Sequence, residues 1–280
     1  MEKKNSKSGK PNQGDKRRSG PPTRKPVGKG KKKPEPSGNP DEVRLNRYLA
    51  LAGICSRREA DEFIAAGLVQ VNNKVVTSMG YKVQPDDEVR YAGELIKGEK
   101  KQYVLLNKPK GFISTTDDPK ARKTVMDLVG KACKERIYPV GRLDRSTTGL
   151  LLFTNDGGLA KRLTHPSHGA SKLYDVVLDK NLSKADFTKI IEGVTLEDGP
   201  VEVDELSWVE GKARNHVGIR IHIGKNRVIR RLFAALGYEV VKLDRVYFAG
   251  LTKKNLPRGH YRFLTKSEID YLKMQGKNNE

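Results

Sequence analysis

The sequence has few of the features that mark secreted, zinc-stabilised or membrane proteins. Its 280 residues include only two cysteines, Cys55 and Cys133, which excludes a disulfide scaffold and the repeated cysteine pairs of a structural zinc site. No apolar run reaches the roughly 18–20 residues of a membrane span, and the basic N-terminus lacks the apolar segment of a secretory signal. We therefore expect a reduced, cytoplasmic protein with no membrane partner.

Acidic residues are also scarce. The chain has 34 Asp and Glu against 55 Lys and Arg, a formal net charge of +21. Residues 1–40 contain 13 basic and three acidic residues, a net +10, and no aromatic residue. This composition predicts a disordered basic arm. The excess positive charge indicates a polyanionic partner such as nucleic acid, although an arm of this kind can also serve only solubility.

Residues 41–100 predict a small domain of two helices and a hairpin. Apolar residues at helical spacing in 45–52 predict the first helix. Ser56 and Glu59 form a capping-box pattern at the start of the second. Residues 68–76 then predict two short strands around a turn. Four basic residues cluster at the helix starts and suit either RNA contact or a solvated surface: Arg44, Arg47, Arg57 and Arg58.

Residues 101–280 alternate single strands with single helices. Apolar strands are predicted at 150–154 and 173–178, and residues 216–223 alternate with the period of a half-buried strand. Apolar residues in 229–236 line one side of a helix. This order favours an α+β fold with a mostly antiparallel sheet over a doubly wound fold.

Familiar cofactor and hydrolase motifs are missing. The chain has neither a GxxxxGK[ST] phosphate loop nor a GxGxxG fingerprint. His165 and His168 lack further nearby residues to complete a metal site. Ser146, His165 and Asp144 could form a hydrolytic triad, but no Gly-x-Ser-x-Gly elbow supports one. We expect no metal and no cofactor.

The most informative segment is residues 141–152, a polar loop that runs into an apolar strand. Within it, Asp144 lies between Arg142 and Arg145. One interpretation is a structural salt bridge in the loop. The other is a carboxylate kept ionised by neighbouring positive charge, which could act as a nucleophile.

The stretch GRLDRSTTGLLLFTNDG, which contains Asp144, closely resembles the catalytic segment of RNA pseudouridine synthases. KPKG at 108–111, KLYDV at 172–176 and GKNRVIRR at 224–231 resemble further segments of the ribosomal RNA branch, with Val228 where that branch usually has Gln. RLNRYLA and CSRREAD resemble its S4-like RNA-binding domain. The resemblance covers residues 43–270. It implies an S4-like domain at 41–100 and a catalytic domain at 101–280.

The resemblance also implies a reaction and its residues. Such enzymes break the N-glycosidic bond of a uridine, rotate the base and rejoin it through carbon five, without a cofactor. Asp144 matches the catalytic aspartate, Tyr174 the tyrosine that packs on the target base, and Arg230 the basic partner of the aspartate. Leu243 matches an aliphatic residue under the base. The target uracil must leave its helix or loop to reach such a site.

Other residues are expected to bind the substrate RNA, and we expect Arg227, Arg230 and Arg231 to share a helix face. The predicted substrate-binding set beyond Leu243 and the four helix-start arginines is Arg142, Arg145, Lys225, Arg227 and Arg231. The partner implied is ribosomal RNA. The KNRVIRR segment and the long basic extension favour the large-subunit RNA over the small-subunit RNA. We expect a monomer, because no feature of the sequence requires a larger assembly. Two alternatives remain at this point, a non-catalytic ribosome-assembly factor and an RNA-processing hydrolase.

Overall fold

The computed structural model describes residues 43–165 and 169–275. The arm predicted at residues 1–40 lies outside these ranges, as does His168. Within the described ranges, no helix is long and apolar enough to cross a membrane.

The N-terminal part, residues 43–96, packs two helices against short strands. Its elements are β1 (Val43–Arg44), α1 (Leu45–Leu51), α2 (Arg57–Ala65), β2 (Val69–Val71), β3 (Lys74–Val75), β4 (Lys82–Val83), β5 (Val89–Tyr91) and β6 (Glu94–Leu95). The predicted hairpin β2–β3 is present, but it belongs to a four-stranded sheet in the order β3-β2-β5-β6. Strands of two or three residues carry too little periodicity for sequence patterns to resolve them.

Helix α2 begins where the sequence predicts. The Ser56 hydroxyl accepts a hydrogen bond from the Glu59 backbone N–H, and the Glu59 carboxylate accepts one from the Ser56 backbone N–H. This capping box satisfies two of the free N–H groups at the helix start. Ala60 and Ile64 then point into a separate hydrophobic core formed by the N-terminal part alone.

The remaining part of the chain builds one large sheet, helices against it and a separate two-stranded hairpin. Its elements are β7 (Tyr103–Lys108), α3 (Met126–Val129), β8 (Tyr138–Pro139), β9 (Thr148–Thr154), α4 (Gly157–Thr164), β10 (Lys172–Leu178), α5 (Lys184–Glu192), β11 (Val194–Leu196), β12 (Gly199–Val201), β13 (Glu205–Trp208), β14 (His216–Ile221), α6 (Val228–Ala235), β15 (Val240–Phe248), β16 (Leu251–Thr252), β17 (Tyr261–Phe263) and α7 (Lys266–Gln275).

The sheet has the strand order β13-β14-β10-β15-β9-β7-β17, with β16 beside β15 and β8 beside β9. Among these described strands, only the β9–β15 pair is parallel, so the predicted mostly antiparallel α+β architecture is confirmed. Hydrophobic side chains cover both faces of the sheet in two clusters. Strand β14 ends at Ile221, two residues earlier than the alternation to residue 223 suggests.

The parallel contact between β9 and β15 depends on one glycine. Gly149 has φ +105° and pairs with Arg245. A Cβ atom at position 149 would lie 2.3 Å from the Arg245 carbonyl oxygen and 2.5 Å from its nitrogen. Only glycine adopts this conformation and permits this approach. The contact fixes the loop before β9, which carries Asp144, to the middle of the sheet.

Candidate active site

A cleft of about 660 Å³ opens beside the loop that carries Asp144. We call it the Asp144 cleft. Its lining includes parts of 113–122, 140–145, 163–165 and 221–228. Strands β10 and β15 contribute further lining residues, among them Tyr174 and Arg245.

The backbone of Asp144 is anchored from the protein interior. Its carbonyl accepts a hydrogen bond from the Thr147 N–H at 3.1 Å, which closes a tight turn. The same carbonyl accepts one from Lys108 Nζ at 3.0 Å. One residue earlier, the backbone N–H and carbonyl of Leu143 both bond to the Ser114 hydroxyl. Hydrogen bonds at both Leu143 and Asp144 therefore hold the backbone of this loop in place.

The carboxylate of Asp144 faces two arginines across the cleft. Its Oδ2 lies 3.6 Å from Arg227 Nη1 and 3.7 Å from Arg230 Nε. The side chain is 30% exposed. Arg230 is also held by Val240 and Ser146, whose oxygen atoms accept from its Nη1 at 2.8 Å and its Nη2 at 3.2 Å. The carboxylate is thus partly open to solvent and has two cations beside it.

The two arginines come from different backbone environments. Arg227 precedes α6 in the left-handed conformation, with φ 46°, and Arg230 lies in the first turn of that helix. Burial and the charge of Arg227 lower the pKa of the Arg230 guanidinium, while Asp144 opposes that change. The helix start therefore concentrates positive charge at the carboxylate.

Lys108 is fully buried beneath the loop. Its Nζ donates to the carbonyls of Thr147, Asp144 and Pro109, at 2.8, 3.0 and 3.2 Å. Burial lowers the pKa of this amine to about 8. The KPKG motif indicates a turn but gives no sign that its first lysine is buried. Sequence patterns miss this group because lysine is rarely found without solvent exposure.

The arginines that flank Asp144 differ in their surroundings. Arg145 is tied to the KPKG turn, since its carbonyl accepts from the Gly111 N–H at 2.8 Å and its Nε donates to the Gly111 carbonyl at 3.3 Å. Arg142 is exposed and lines the cleft. Within the described residues, Arg142 makes no hydrogen bond or ion pair. It is thus a cation available to a ligand in the cleft.

Tyr174 lines the cleft, whereas Leu243 does not. The Tyr174 side chain packs in the larger core cluster, yet its residue also contributes to the cleft wall. Its hydroxyl has no hydrogen-bond partner among the described residues. Leu243 pairs with Val176, belongs to the same core cluster and is 6% exposed. The structure therefore places Leu243 behind the cleft wall, because the strand positions nearest the opening are taken by Tyr174 and Arg245.

The predicted common face of three arginines is wrong for Arg231. Its guanidinium forms a two-pronged contact with Asp198, at 3.0 and 2.8 Å, on the turn between β11 and β12. Lys225 donates to the carbonyls of Asp198 and Pro200 on the same hairpin. Arg231 directly follows Arg230 in α6, so its side chain lies about 100° further round the helix axis and faces the hairpin instead of Asp144.

The four arginines at the N-terminal helix starts lie apart from the Asp144 loop in sequence. Three of them are exposed and Arg47 is half-buried. Within the described residues none has a carboxylate partner at ion-pair distance. Arg47 lies near Tyr138, where its charge opposes the rise that burial causes in the pKa of that phenol. Glu59 of the capping box meets Arg136 at 3.6 Å, so α2 contacts the larger part of the chain.

An ionic cluster at Asp244 completes the framework around the cleft, and the sequence patterns do not reveal it. The carboxylate accepts from Arg258 at 2.9 Å, from the Thr148 hydroxyl at 2.9 Å, and from Lys253. Burial alone would raise the pKa of Asp244, but the hydrogen bonds from Arg258 and Lys253 lower it to about 2. Arg258 also bonds to Asn107 on β7. The cluster therefore joins three distant segments.

Comparison with known proteins decides the family. Residues 102–235 match the RNA pseudouridylate synthase family, and residues 43–89 match the S4 domain. The chain is 42% identical to the ribosomal large subunit pseudouridine synthase B of Bacillus subtilis over 82% of this chain and 95% of the relative. The chain belongs to the RNA pseudouridine synthase family. It is an isomerase with an S4 domain before its pseudouridine synthase domain.

Two further similarities agree with this assignment to the pseudouridine synthases. An uncharacterised RNA pseudouridine synthase of Aquifex aeolicus is 36% identical over 82% of this chain and 94% of the relative. A solved structure described as a pseudouridylate synthase is 32% identical and has a TM-score of 0.58, covering 82% of this chain and 99% of that one. The resemblance drawn from the sequence is confirmed, and RNA is the substrate class.

Proposed function

We propose that this synthase converts a specific uridine of large-subunit ribosomal RNA to pseudouridine, with Asp144 as the catalytic nucleophile. The observation that carries the proposal is the Asp144 carboxylate, held between Arg227 and Arg230 at the side of a cleft that Tyr174 also lines. The large-subunit assignment is supported by the similarity to the Bacillus subtilis relative, whose name specifies that substrate.

The reaction is an isomerisation, and its balance needs no external reagent. The bond between N1 of uracil and C1′ of the ribose breaks, and a bond between C5 and C1′ forms. A proton leaves C5, and N1 gains one. The Asp144 carboxylate starts the exchange as the nucleophile, with the positive charges of Arg227 and Arg230 beside it. This sequence of bond changes requires the released base to stay bound while it rotates.

Tyr174 provides a surface for that base. An aromatic side chain under a base contributes roughly 1–3 kcal/mol by stacking. Tyr174 lines the cleft, and its hydroxyl, which has no hydrogen-bond partner among the described residues, is proposed to assist loss of the C5 proton. Arg230 fixes the carboxylate from the opposite direction. Leu243 supports this surface from behind, as part of the same core cluster.

The remaining predicted residues form the RNA-binding part of the proposal. Arg142 contacts the RNA at the cleft, and Arg145 keeps the loop on the KPKG turn. Arg227 contacts RNA phosphates as well as Asp144. Lys225 and Arg231 contribute after release from the β11–β12 hairpin. The helix-start arginines bind the RNA away from the target nucleotide: Arg44, Arg47, Arg57 and Arg58.

We also propose the domain boundaries 41–100 and 101–280, a monomeric state, and a cytoplasmic location where ribosomal RNA is available. The basic arm at residues 1–40 adds affinity through phosphate contacts. These statements go beyond the assignment of RNA as the substrate class, and they rest on the sequence and on the similarity to the relatives.

The deciding experiment uses unmodified large-subunit ribosomal RNA with tritium at uracil carbon five. Wild-type protein is expected to release tritium, because the C5 proton leaves in the reaction. Asp144→Asn is expected to release none while it binds RNA as tightly as the wild type, since the substitution preserves the shape of the side chain. Activity in Asp144→Asn would exclude Asp144 as the nucleophile. Binding without release by either protein would favour a non-catalytic assembly factor, and release from small-subunit RNA alone would change the substrate.

A further inference from the structure

Strands β10 and β15 present two cations at the cleft that the reaction described above does not use. Tyr174 on β10 pairs with Arg245 on β15, and Lys172 pairs with Phe248. All four residues line the Asp144 cleft. Lys172 and Arg245 therefore lie beside the tyrosine proposed to hold the target base.

Arg245 is a buried cation with an unused donor. The residue is 3% exposed, its Nε donates to the Leu150 carbonyl at 2.8 Å, and its guanidinium lies 4.6 Å from the centre of the Phe248 ring. Its Nη2 is buried and has no hydrogen-bond partner in the described part of the chain. No carboxylate of a described residue lies within ion-pair distance of it. A buried guanidinium with a free N–H group is costly unless something else pairs with it.

Lys172 shares this lack of a counter-charge. Its Nζ donates to the carbonyls of His222 and Ala170, at 2.6 and 2.7 Å, and it forms no ion pair with a described carboxylate. Burial, together with the charge of Arg245, lowers the pKa of this amine to about 8. Asp204, the acid whose charge opposes this change in the pKa, already contacts the His222 ring at 2.6 Å. The amine is therefore held on neutral carbonyls near another cation.

The exposed Arg142 and Arg145 at the cleft also lack an acid among the described residues, but four other neighbouring cations show a different pattern. Arg227 and Arg230 share Asp144, and Lys225 and Arg231 share Asp198. Lys172 and Arg245 stand out because they are more buried than Arg227 and yet lack an acid. A guanidinium and an ammonium at one site match the oxygens of a phosphate group. The RNA substrate supplies such phosphate groups, so the site does not need a carboxylate side chain of the protein as its counter-charge.

We propose that Lys172 and Arg245 form an anion subsite that binds a phosphodiester group of the RNA next to the nucleotide held at Asp144 and Tyr174. The subsite sets the depth to which the target nucleotide enters, since the phosphate is fixed relative to its base by the ribose. This inference rests on the proposed function for its ligand. The geometry of the subsite itself is independent of Asp144.

The first test measures the salt dependence of binding to the large-subunit RNA. Lys172→Gln keeps a donor for the two carbonyls and removes the charge, and Lys172→Arg restores the charge. Lys212→Gln is the matched control, because Lys212 is an exposed lysine in the turn at the other end of β14. Loss of one phosphate contact lowers the slope of log K against log salt by about 0.7–0.9. We expect this decrease in Lys172→Gln alone, with recovery in Lys172→Arg.

The second test uses small ligands that compete with RNA: uridine, uridine 5′-monophosphate and uridine 3′-monophosphate. With wild type, one of the two monophosphates should compete about tenfold better than uridine, the size of one charged hydrogen bond. In Lys172→Gln that advantage should disappear, while competition by uridine stays as in the wild type. Thermal unfolding of each variant shows that it is folded.

The outcomes separate the subsite from the reaction. An unchanged salt slope in Lys172→Gln, an equal decrease in Lys212→Gln, or no advantage of either monophosphate over uridine would overturn the subsite. Tritium release by the wild type together with such a result would leave the proposed function intact. A third outcome is that Lys172→Gln shows the lower salt slope and no monophosphate advantage, while the wild type releases no tritium. That result would support the anion subsite and reject the reaction.

Discussion

At the residue scale, Asp144 is held by two sets of contacts that act on different atoms. Lys108 and Thr147 fix its backbone carbonyl from the interior, and Arg227 and Arg230 approach its carboxylate from the cleft. The backbone contacts determine where the carboxylate stands, and the arginines place positive charge beside it. Removing either set should therefore give a different kinetic defect.

We predict that Lys108→Met lowers kcat with little effect on RNA binding. The substitution removes the donor that holds the Thr147 and Asp144 carbonyls, so the carboxylate is less well placed for attack. A displacement of about 1 Å costs up to about 100-fold in rate. Single-turnover tritium release and RNA binding measure the two effects separately. Lys110→Met, at the exposed lysine of the same turn, is the control and should behave as wild type. Equal losses in kcat and in affinity would argue against a positioning role.

Sequence patterns predict functional residues that stand in recognisable motifs. They miss residues whose function depends on where the fold places them. Asp144 and Tyr174 stand in motifs, and both line the cleft. Lys108 is part of a motif too, but its burial arises from β7 passing under the loop, which no local pattern encodes. In the sequence, nothing distinguishes Arg245 from an ordinary polar residue of a strand. Its environment depends on a parallel pairing with Gly149, almost 100 residues earlier in the chain.

At the element scale, the hairpin β11–β12 braces the segment that leads into α6. Asp198 at its turn binds Arg231 by both carboxylate oxygens, and Lys225 reaches two hairpin carbonyls. These contacts lie on the other side of the segment from Arg227 and Arg230. The hairpin therefore fixes the direction in which those two arginines approach Asp144.

We predict that Asp198→Asn strengthens RNA binding and steepens its salt dependence. Without the carboxylate, Arg231 becomes available to a phosphate, which adds about 0.7–0.9 to the magnitude of the slope. The free energy of unfolding should change little, because this ion pair is exposed to solvent. Glu197→Gln removes the same charge from the same turn. If Asp198→Asn and Glu197→Gln steepen the salt dependence equally, the change in net charge would explain the effect, and release of Arg231 would not be needed.

Local signals predict element starts well and sheet order poorly. The capping patterns at Ser56, Ser183 and Thr265 all mark helix starts in the structure, because a cap depends on three or four consecutive residues. Strand order depends on contacts between distant segments. β15 and β9 meet in parallel although three helices, the β11–β12 hairpin and the strands β10, β13 and β14 lie between them in sequence.

At the scale of the whole molecule, positive charge is concentrated outside the described fold. Residues 1–40 carry a net +10 out of +21. We predict that their deletion weakens RNA binding and flattens its salt dependence, while the modified uridine stays the same. Binding at several salt concentrations and mapping of the product test both parts. Replacing the 13 basic residues of the arm by Gln should reproduce the deletion. An unchanged slope would reject the phosphate contacts proposed for the arm.

Acid should destabilise the fold through Asp244. Its pKa is lowered to about 2 in the folded protein and is about 3.9 in an unfolded chain. The stabilisation is therefore complete above about pH 4 and is lost as the pH falls towards 2, with a size of about 2 kcal/mol. Urea unfolding across this range measures it.

The matched variants for the acid experiment are Asp244→Asn and Glu192→Gln. Asp244→Asn should be less stable near neutral pH and should show a shallower loss between pH 4 and 2. Glu192→Gln, at an exposed position of α5, should follow the wild type. Identical acid profiles for Asp244→Asn and wild type would show that other groups control acid unfolding.

The pairing of β17 with β7 has a consequence for how the protein is made. Residues 261–263 close the sheet against residues 103–108, and Arg258 reaches back to Asn107 and Asp244. The S4 domain, by contrast, draws its core from residues 45–96 alone. During synthesis the RNA-binding module can therefore fold as soon as it emerges, while the catalytic sheet must wait for its last strand. A nascent chain would be able to hold RNA before it could modify it.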